Sequence, residues 1–200
     1  MHQARLLYQG HGSYRITTGE GRVIYVDPYA GEGYDLPADL VLVTHEHYDH
    51  NAVDKVELKE DGRILRAADT LKDGIYRRVD LGWIQVQAVE AYNQNHPKES
   101  CVGYILEWDG IRLYASGDTS ETEEMSRLPR LDYALLPIDG VYNMDAAEAV
   151  RCAAKMDARY VIPIHVKPGA LYDRAMAEKF NAPNRLMVEP GETIQLKGEQ

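Results

Sequence analysis

Four side chains that bind metals well lie within six residues of this chain, in the stretch THEHYDH at residues 44–50. They are His45, His47, Asp49 and His50, and the whole chain has only seven histidines. Imidazole and carboxylate groups at this spacing are typical of sites for zinc and related divalent metals. A polar loop that is merely rich in histidine is the alternative, but packing gives no reason for such crowding. The stretch therefore predicts a metal centre.

The apolar run DLVLV comes directly before this stretch and predicts a strand. Alternate side chains of an extended segment face the same way, so His45 and His47 can share one metal. Asp49 and His50 follow where the strand gives way to a turn or a short helix, and can face a second point nearby. A catalytic zinc takes about three protein ligands and keeps one position open. The cluster therefore cannot complete two sites alone.

Three further candidates, His96, Asp118 and His165, each follow a predicted strand. Each has an ordinary alternative: a loop histidine, an acid at a helix start, or a histidine satisfied in the core. Because binding residues converge on loops that leave a sheet edge, we expect two adjacent sites. The first site takes three histidines: His45, His47 and His96. The second is mixed: Asp49, His50 and His165. Asp118 is expected to bridge the two metals.

These ligands supply only nitrogen and oxygen, which suits zinc, manganese or iron rather than a thiolate site. We expect two divalent ions, zinc first. Asp27 ends the predicted strand RVIYV and is expected to hold a ligand by a hydrogen bond, with a plain turn residue as the alternative. Four residues are candidates for contact with the substrate, with ordinary surface roles as the alternative: His11, Lys167, Tyr142 and Asn143. Lys167 would meet an anionic group.

The elements that must position these residues are short strands joined by turns over the first hundred residues. After residue 100, strands alternate with predicted helices in SETEEMSRL, DAAEAVRCAAKM and ALYDRAMAEKF, and RLMVE and TIQL form a last pair of strands. The pattern favours an α/β or α+β sandwich with helices outside two sheets. We expect one domain over residues 1–200, built from two halves of approximately 1–100 and 101–200.

The bulk composition of 200 residues narrows the function classes. A net charge of −10 without a block of Lys or Arg argues against a nucleic-acid partner. No signal peptide or membrane span is evident, and Cys101 and Cys152 make no disulfide framework. We therefore expect a cytoplasmic protein without a membrane partner that acts on a small molecule. A homo-oligomer is compatible with the sequence.

The order of these motifs resembles the metallo-β-lactamase fold superfamily of hydrolases over nearly the whole chain. H-x-H-x-D-H follows a strand, then come His96, the GDT at 117–119 and His165. VDP at 26–28 resembles the first motif of that superfamily, whose Asp supports the site from behind. GHGSYRI and LLPIDGVYNMD resemble the small group that includes ascorbate-6-phosphate lactonase. The resemblance implies a four-layer αββα sandwich with the metals at one edge between two sheets.

Departures from the superfamily narrow the expected activity. Relatives that hydrolyse antibiotics have Cys where this chain has Asp118, which argues against β-lactam hydrolysis. The chain has no room for a tRNA-binding arm, the C-terminal helical domain of thioesterases or a flavodoxin domain. Our hypothesis is a dinuclear hydrolase in which Asp49 and Asp118 assist a metal-bound hydroxide. Its substrate would be a small, anionic ester, lactone or phosphodiester.

Two other functions are open on sequence grounds. A di-iron redox protein of the same fold normally needs a flavin partner and carries acidic ligands where this chain has histidines such as His47. A non-catalytic metal-binding protein would be expected to lose ligands, and all seven candidates are present.

Overall fold

The structure is a computed structural model that describes residues 3–198. Two six-stranded sheets form its framework. The first sheet has the order β14-β1-β2-β3-β4-β5. Its strands are β1 (Arg5–Gly10), β2 (Ser13–Thr17), β3 (Val23–Val26), β4 (Ala38–Val43), β5 (Leu58–Arg66) and β14 (Thr193–Gln195). Only β3, β4 and β5 run parallel to one another, and the other neighbours are antiparallel.

The second sheet has the order β13-β12-β11-β10-β9-β8. Its strands are β8 (Arg78–Asp80), β9 (Gln85–Glu90), β10 (Val102–Trp108), β11 (Ile111–Ala115), β12 (Leu131–Pro137) and β13 (Ala158–Ile164). Here β11, β12 and β13 are parallel, so both sheets combine two parallel with three antiparallel pairings. A small hairpin joins β6 (Leu71–Lys72) to β7 (Ile75–Tyr76). The division into two halves near residue 100 stays a prediction.

The main core lies between the two sheets, where side chains such as Leu6, Leu42 and Leu106 are fully buried. Apolar and polar residues alternate along β9 and explain part of this core. Val86 and Ala88 are buried, while Gln85 and Gln87 are half-buried. By contrast, every residue of β4 is buried, as expected for a strand covered on both faces.

Helices cover the outer face of the second sheet. They are α2 (Ala146–Lys155) and α3 (Arg174–Glu178), while α1 (Ala67–Thr70) follows β5. Asp145 caps α2 by accepting a hydrogen bond from the Glu148 N–H at 2.7 Å. The outer face of the first sheet is covered by a 3₁₀ turn at Val53–Lys55 and its neighbours. These layers confirm the predicted fold class, with few helices. Within residues 3–198, no helix has the length and apolar character needed to cross a membrane.

Three local predictions were wrong. SETEEMSRL forms only a 3₁₀ turn at Glu124–Arg127. ALYDRAMAEKF is helical only after Asp173, which caps α3 at the Met176 N–H. RLMVE forms no strand beyond one bridge at its first residue. Strand β5 was missed because it is a largely exposed edge strand with little apolar periodicity.

Candidate metal centre

The seven predicted ligands come together at one edge of the sandwich, in loops after the carboxyl ends of strands. The histidine-rich stretch follows β4, His96 follows β9, Asp118 follows β11 and His165 follows β13. Parallel strands end at the same edge of a sheet, which is why residues distant in sequence meet here. The structure thus brings together all seven side chains, and it adds His11, which lies in the turn between β1 and β2.

The first group of ligand atoms contains the three predicted histidines. One ring nitrogen from each of His45, His47 and His96 lies within 4.8 Å of the others. His45 and His96 are buried, whereas His47 is exposed. Three imidazoles with one side open to solvent match the protein part of a catalytic zinc site.

The second group contains Asp49, His50 and His165 together with His11, again within 4.8 Å. His11 Nε2 lies 2.9 Å from Asp49 Oδ2, and the centres of the His11 and His165 rings are 3.7 Å apart. His11 Nδ1 lies 3.2 Å from the backbone oxygen of Ala170. The sequence predicted His11 only as a candidate for contact with the substrate, and its hydrogen bond to Asp49 was not predicted.

Asp118 lies between the two groups. Its Oδ1 is 3.4 Å from His50 Nε2, while its Oδ2 is 3.3 Å from His96 Nε2 and 3.4 Å from His165 Nε2. One carboxylate therefore touches histidines of both groups, as a bridging ligand must.

Hydrogen bonds at Nδ1, the ring nitrogen that faces away from the ligand groups, orient His45 and His50. Asp27 Oδ2 accepts from His50 Nδ1 at 2.9 Å and from the Thr44 hydroxyl at 2.7 Å. Thr44 has then used its one hydroxyl proton, so its oxygen, 3.0 Å from His45 Nδ1, accepts a hydrogen bond from that ring. Both rings thus carry a proton on Nδ1 and present Nε2 to the site. Asp27 was predicted to hold a ligand, and this contact is the geometry that such a role requires.

Two residues that orient His96 and His165 were not predicted from the sequence. Asn93 Oδ1 lies 2.8 Å from His96 Nδ1, and Asp139 Oδ2 lies 3.0 Å from His165 Nδ1. Asp139 follows a strand as the predicted ligands do, so its position was the available signal. Asn93 looked like a turn residue, and nothing in its sequence context separates the two roles.

The free ring nitrogens show that the donor set fits a divalent metal. His45 Nε2 and His50 Nε2 are buried and make no hydrogen bond within residues 3–198, although Asp118 Oδ1 lies 3.4 Å from His50 Nε2. A buried nitrogen without a hydrogen bond is costly, and a divalent metal beside each ring would satisfy it. Carboxylate and imidazole are also the donors that zinc, manganese and iron accept.

Electrostatics hold His45 and Asp118 in the form that binds metal, whereas His50 is favoured in its protonated form. Burial and the neighbouring His50 keep the pKa of His45 well below its usual value, so this ring is neutral. Burial raises the pKa of Asp118, but His50 and His165 outweigh it and hold that pKa well below normal. Burial lowers the pKa of His50, but Asp118 and Asp27 raise it well above normal. Metal binding must therefore release a proton from His50.

Three residues of the site have left-handed backbones. The φ angles are +57° at His11, +45° at Asp27 and +44° at His165. This conformation is uncommon for residues other than glycine and costs roughly 1–2 kcal/mol each. Backbone hydrogen bonds hold it, since His165 N donates to His11 O at 2.8 Å and Asp27 N donates to Leu42 O at 2.9 Å. Such strain collects at functional sites.

The remaining candidates lie around the centre. Lys167 Nζ pairs with Asp173 at 2.9 Å, so its charge is already balanced. Asn143 Nδ2 donates to Asp139 Oδ2 at 2.7 Å, which places Asn143 behind His165 rather than only in the pocket wall. The Tyr142 side chain is 51% exposed.

Comparisons with known proteins agree with this fold. A family model described as a beta-lactamase superfamily domain matches residues 5–165. A protein of Nitratidesulfovibrio vulgaris (strain DP4) named UPF0173 metal-dependent hydrolase is 33% identical over 82% of this chain and 80% of its own length. A protein of the same name from Thermococcus onnurineus (strain NA1) is 28% identical over 96% of this chain and 99% of its own. The structure of Igni18, a metallo hydrolase from Ignicoccus hospitalis, has a TM-score of 0.78 and 22% identity, and the match covers 98% of this chain and 100% of that one.

Proposed function

This chain belongs to the beta-lactamase superfamily and is a metal-dependent hydrolase, and from that premise we propose that two divalent metal ions share its metal centre. The proposal rests on Asp118, whose two carboxylate oxygens lie 3.3–3.4 Å from histidines of both ligand groups. His45, His47 and His96 would hold one ion. Asp49, His50 and His165 would hold the other.

Bound divalent ions would lower the pKa of water towards about 7 and polarise the substrate oxygen. Zinc is the metal we propose, with manganese or iron as alternatives that the same donors accept. The buried rings would not need to turn to bind metal, because Asp27, Asn93 and Asp139 already hold them.

The carboxylates would handle the proton of the attacking water. Asp49 Oδ2 accepts a hydrogen bond from His11 Nε2 at 2.9 Å, which leaves Oδ1 of the same carboxylate available to the metal or the attacking water. Burial raises the pKa of Asp49, but the hydrogen bond from His11 and the charge of His50 outweigh it and lower that pKa. Asp49 is therefore ionised at neutral pH and orients water as an acceptor. Asp118 is the second acceptor that we propose.

The reaction would add water across one bond of a small ester, lactone or phosphodiester. The water oxygen bonds to the carbonyl carbon or phosphorus, the bond to the leaving oxygen breaks, and the water proton passes through Asp49 or Asp118 to that oxygen. Where the substrate is anionic, its charge would lie on the reacting group beside the metals. Lys167 is not needed for it, because Asp173 balances its charge.

Metal content per chain tests the proposal directly. Protein purified without chelator or affinity-column metal is measured by plasma mass spectrometry before and after Asp118→Asn. The matched control is Asp39→Asn, another buried carboxylate at the opposite end of β4. We expect two ions per chain in the wild type and the control, and fewer in Asp118→Asn. At most one ion per wild-type chain in excess metal contradicts the shared centre.

Turnover separates the remaining functions. Release of acid from a panel of esters, lactones and phosphodiesters should depend on added zinc or manganese. A loaded protein that hydrolyses none of them would favour a non-catalytic metal-binding role. Visible absorption from bound iron would instead favour a di-iron redox protein.

A further inference from the structure

A cleft of about 480 Å³ opens beside the metal centre. Its walls are two facing segments, residues 92–95 and 141–143, and Ser120 lies beside them. We name it the amide cleft because both walls carry asparagine or glutamine. Ser120 is two residues from Asp118, and the first wall ends at the residue before His96.

The walls of the amide cleft are continuous with the supports of the ligands. Asn93 accepts from His96 Nδ1 at 2.8 Å and donates through Nδ2 to the Tyr142 backbone oxygen at 2.8 Å. Asn143 lies 3.4 Å from Asn93 and donates to Asp139, which faces His165. A group bound in this cleft would therefore lie against the residues that orient both His96 and His165.

The lining of the amide cleft is polar but uncharged. It contains no Asp, Glu, Lys, Arg or His. Four of its side-chain groups make no hydrogen bond to another part of residues 3–198: the Tyr92 hydroxyl, the Gln94 amide, the Ser120 hydroxyl and the Tyr142 hydroxyl. All four can both donate and accept. The exposed side chains of Val141 and Tyr142 add apolar surface at the rim.

Nearby cations would not give the cleft a preference for anions. Lys98 lies over the Tyr92 ring, 4.9 Å from its centre, but its ammonium group pairs with Glu90. A ligand that matches this lining presents hydroxyl or amide groups to the polar side chains and some C–H surface to Val141 and Tyr142, because ligand pockets generally combine polar with apolar contacts.

We propose that the amide cleft binds the non-reacting part of the substrate and that this part is uncharged and rich in hydroxyl or amide groups, as in a sugar. This inference rests on the proposed function only for the hydrolysis at the adjacent metal centre. The cleft supplies recognition, and the metal centre supplies the chemistry. Binding energy that a remote part of the substrate contributes equally to the bound substrate and to the transition state lowers KM and leaves kcat unchanged.

Binding is tested first without any reaction. Metal-loaded, ¹⁵N-labelled protein is titrated with methyl glucoside, and the side-chain amide signals of Gln94 and Asn95 are followed by NMR. We expect saturating shifts in the wild type and an affinity about tenfold lower in Tyr142→Ala. The control is Ile75→Ala, which removes a 63% exposed side chain outside both the cleft and the metal centre and should bind as the wild type does. Absent shifts, or equal affinities in wild type and Tyr142→Ala, overturn the proposal.

Kinetics give a second, separable answer. Ethyl acetate and 6-O-acetyl methyl glucoside share the same reacting ester, but only the second can reach the amide cleft. We expect Tyr142→Ala to raise KM for the glucoside about tenfold with kcat unchanged, and to leave ethyl acetate unaffected. If neither ester is cleaved, ester hydrolysis fails while the NMR titration still decides the subsite. If both are cleaved with equal KM in both proteins, the subsite fails and hydrolysis stands.

Discussion

Asp27→Asn should weaken metal binding or lower the stability of the fold, because Asp27 supports both. The two effects are measured separately. The carboxylate accepts hydrogen bonds from His50 Nδ1 at 2.9 Å, the Thr44 hydroxyl at 2.7 Å and the Thr44 N–H at 2.8 Å. Asparagine has the same shape but replaces one oxygen by an NH₂ group. If that group replaces Oδ2, His50 must accept at Nδ1 and carry its proton on Nε2, where the metal would bind. The Thr44 hydroxyl would turn towards His45 and force the same change there.

The size of the effect follows from these contacts. Loss of an outer hydrogen-bond partner typically costs 10–100-fold in metal affinity, which corresponds to about 1.4–2.8 kcal/mol. If NH₂ instead replaces Oδ1, it opposes the Thr44 N–H, and the unfolding free energy falls by roughly 1–3 kcal/mol. Metal affinity is measured by competition with a chromophoric chelator, and stability by denaturant unfolding of the metal-free protein.

Asp39→Asn is the control for this experiment. Asp39 is also a buried carboxylate and accepts from the Val23 N–H at 2.8 Å, Arg22 at 2.8 Å and Lys59 at 2.6 Å. It lies at the opposite end of β4 from the metal centre. Asp39→Asn should therefore lower stability and leave metal affinity unchanged. An Asp27→Asn protein with wild-type metal affinity would refute the role of this hydrogen-bond chain.

Three further outcomes are expected. In Gly12→Ala the new Cβ would lie 2.8 Å from His50 Cε1, so metal content per chain should fall, and denaturant unfolding should show a loss of about 1–3 kcal/mol. Burial raises the pKa of Asp39, but Lys59 and the other donors outweigh it and lower that pKa. The stability that Asp39 contributes is therefore present above about pH 3.9 and lost as pH falls through the lower folded pKa, so unfolding curves of wild type and Asp39→Asn should converge in acid. Lys167→Ala should leave KM for an anionic ester unchanged in steady-state assays, because that lysine pairs with an aspartate at the surface.

The sequence predicted the sheets and the ligands for the same reason: both leave a local pattern. Alternating apolar residues marked strands such as β9, and the spacing of His45 to His50 marked the metal centre. Thr44 and Asn93 left no such pattern, since their roles depend on which ring lies opposite in the folded chain. Polar loop residues look alike until tertiary contacts give one of them a partner. The ligand roles themselves stay predictions until metal is measured.

The predicted length of α3 was wrong for a related reason. Asp173 has the sequence context of a helix interior, but it caps α3, and the Ala170 oxygen faces the His11 ring instead of joining a helix. A contact made by a distant loop decided where that helix begins, and no local propensity encodes it.

The pairing of β14 with β1 has a consequence for how this protein folds. Leu6 in the first strand lies opposite Ile194 in the last, so the first sheet gains its sixth strand only when nearly the whole chain is present. Contacts of such long sequence separation slow folding. During synthesis, one edge of β1 stays open until residues 193–195 arrive, and an open strand edge invites pairing with other chains. Aggregation of nascent chains, rather than instability of the finished protein, is the hazard that this topology creates.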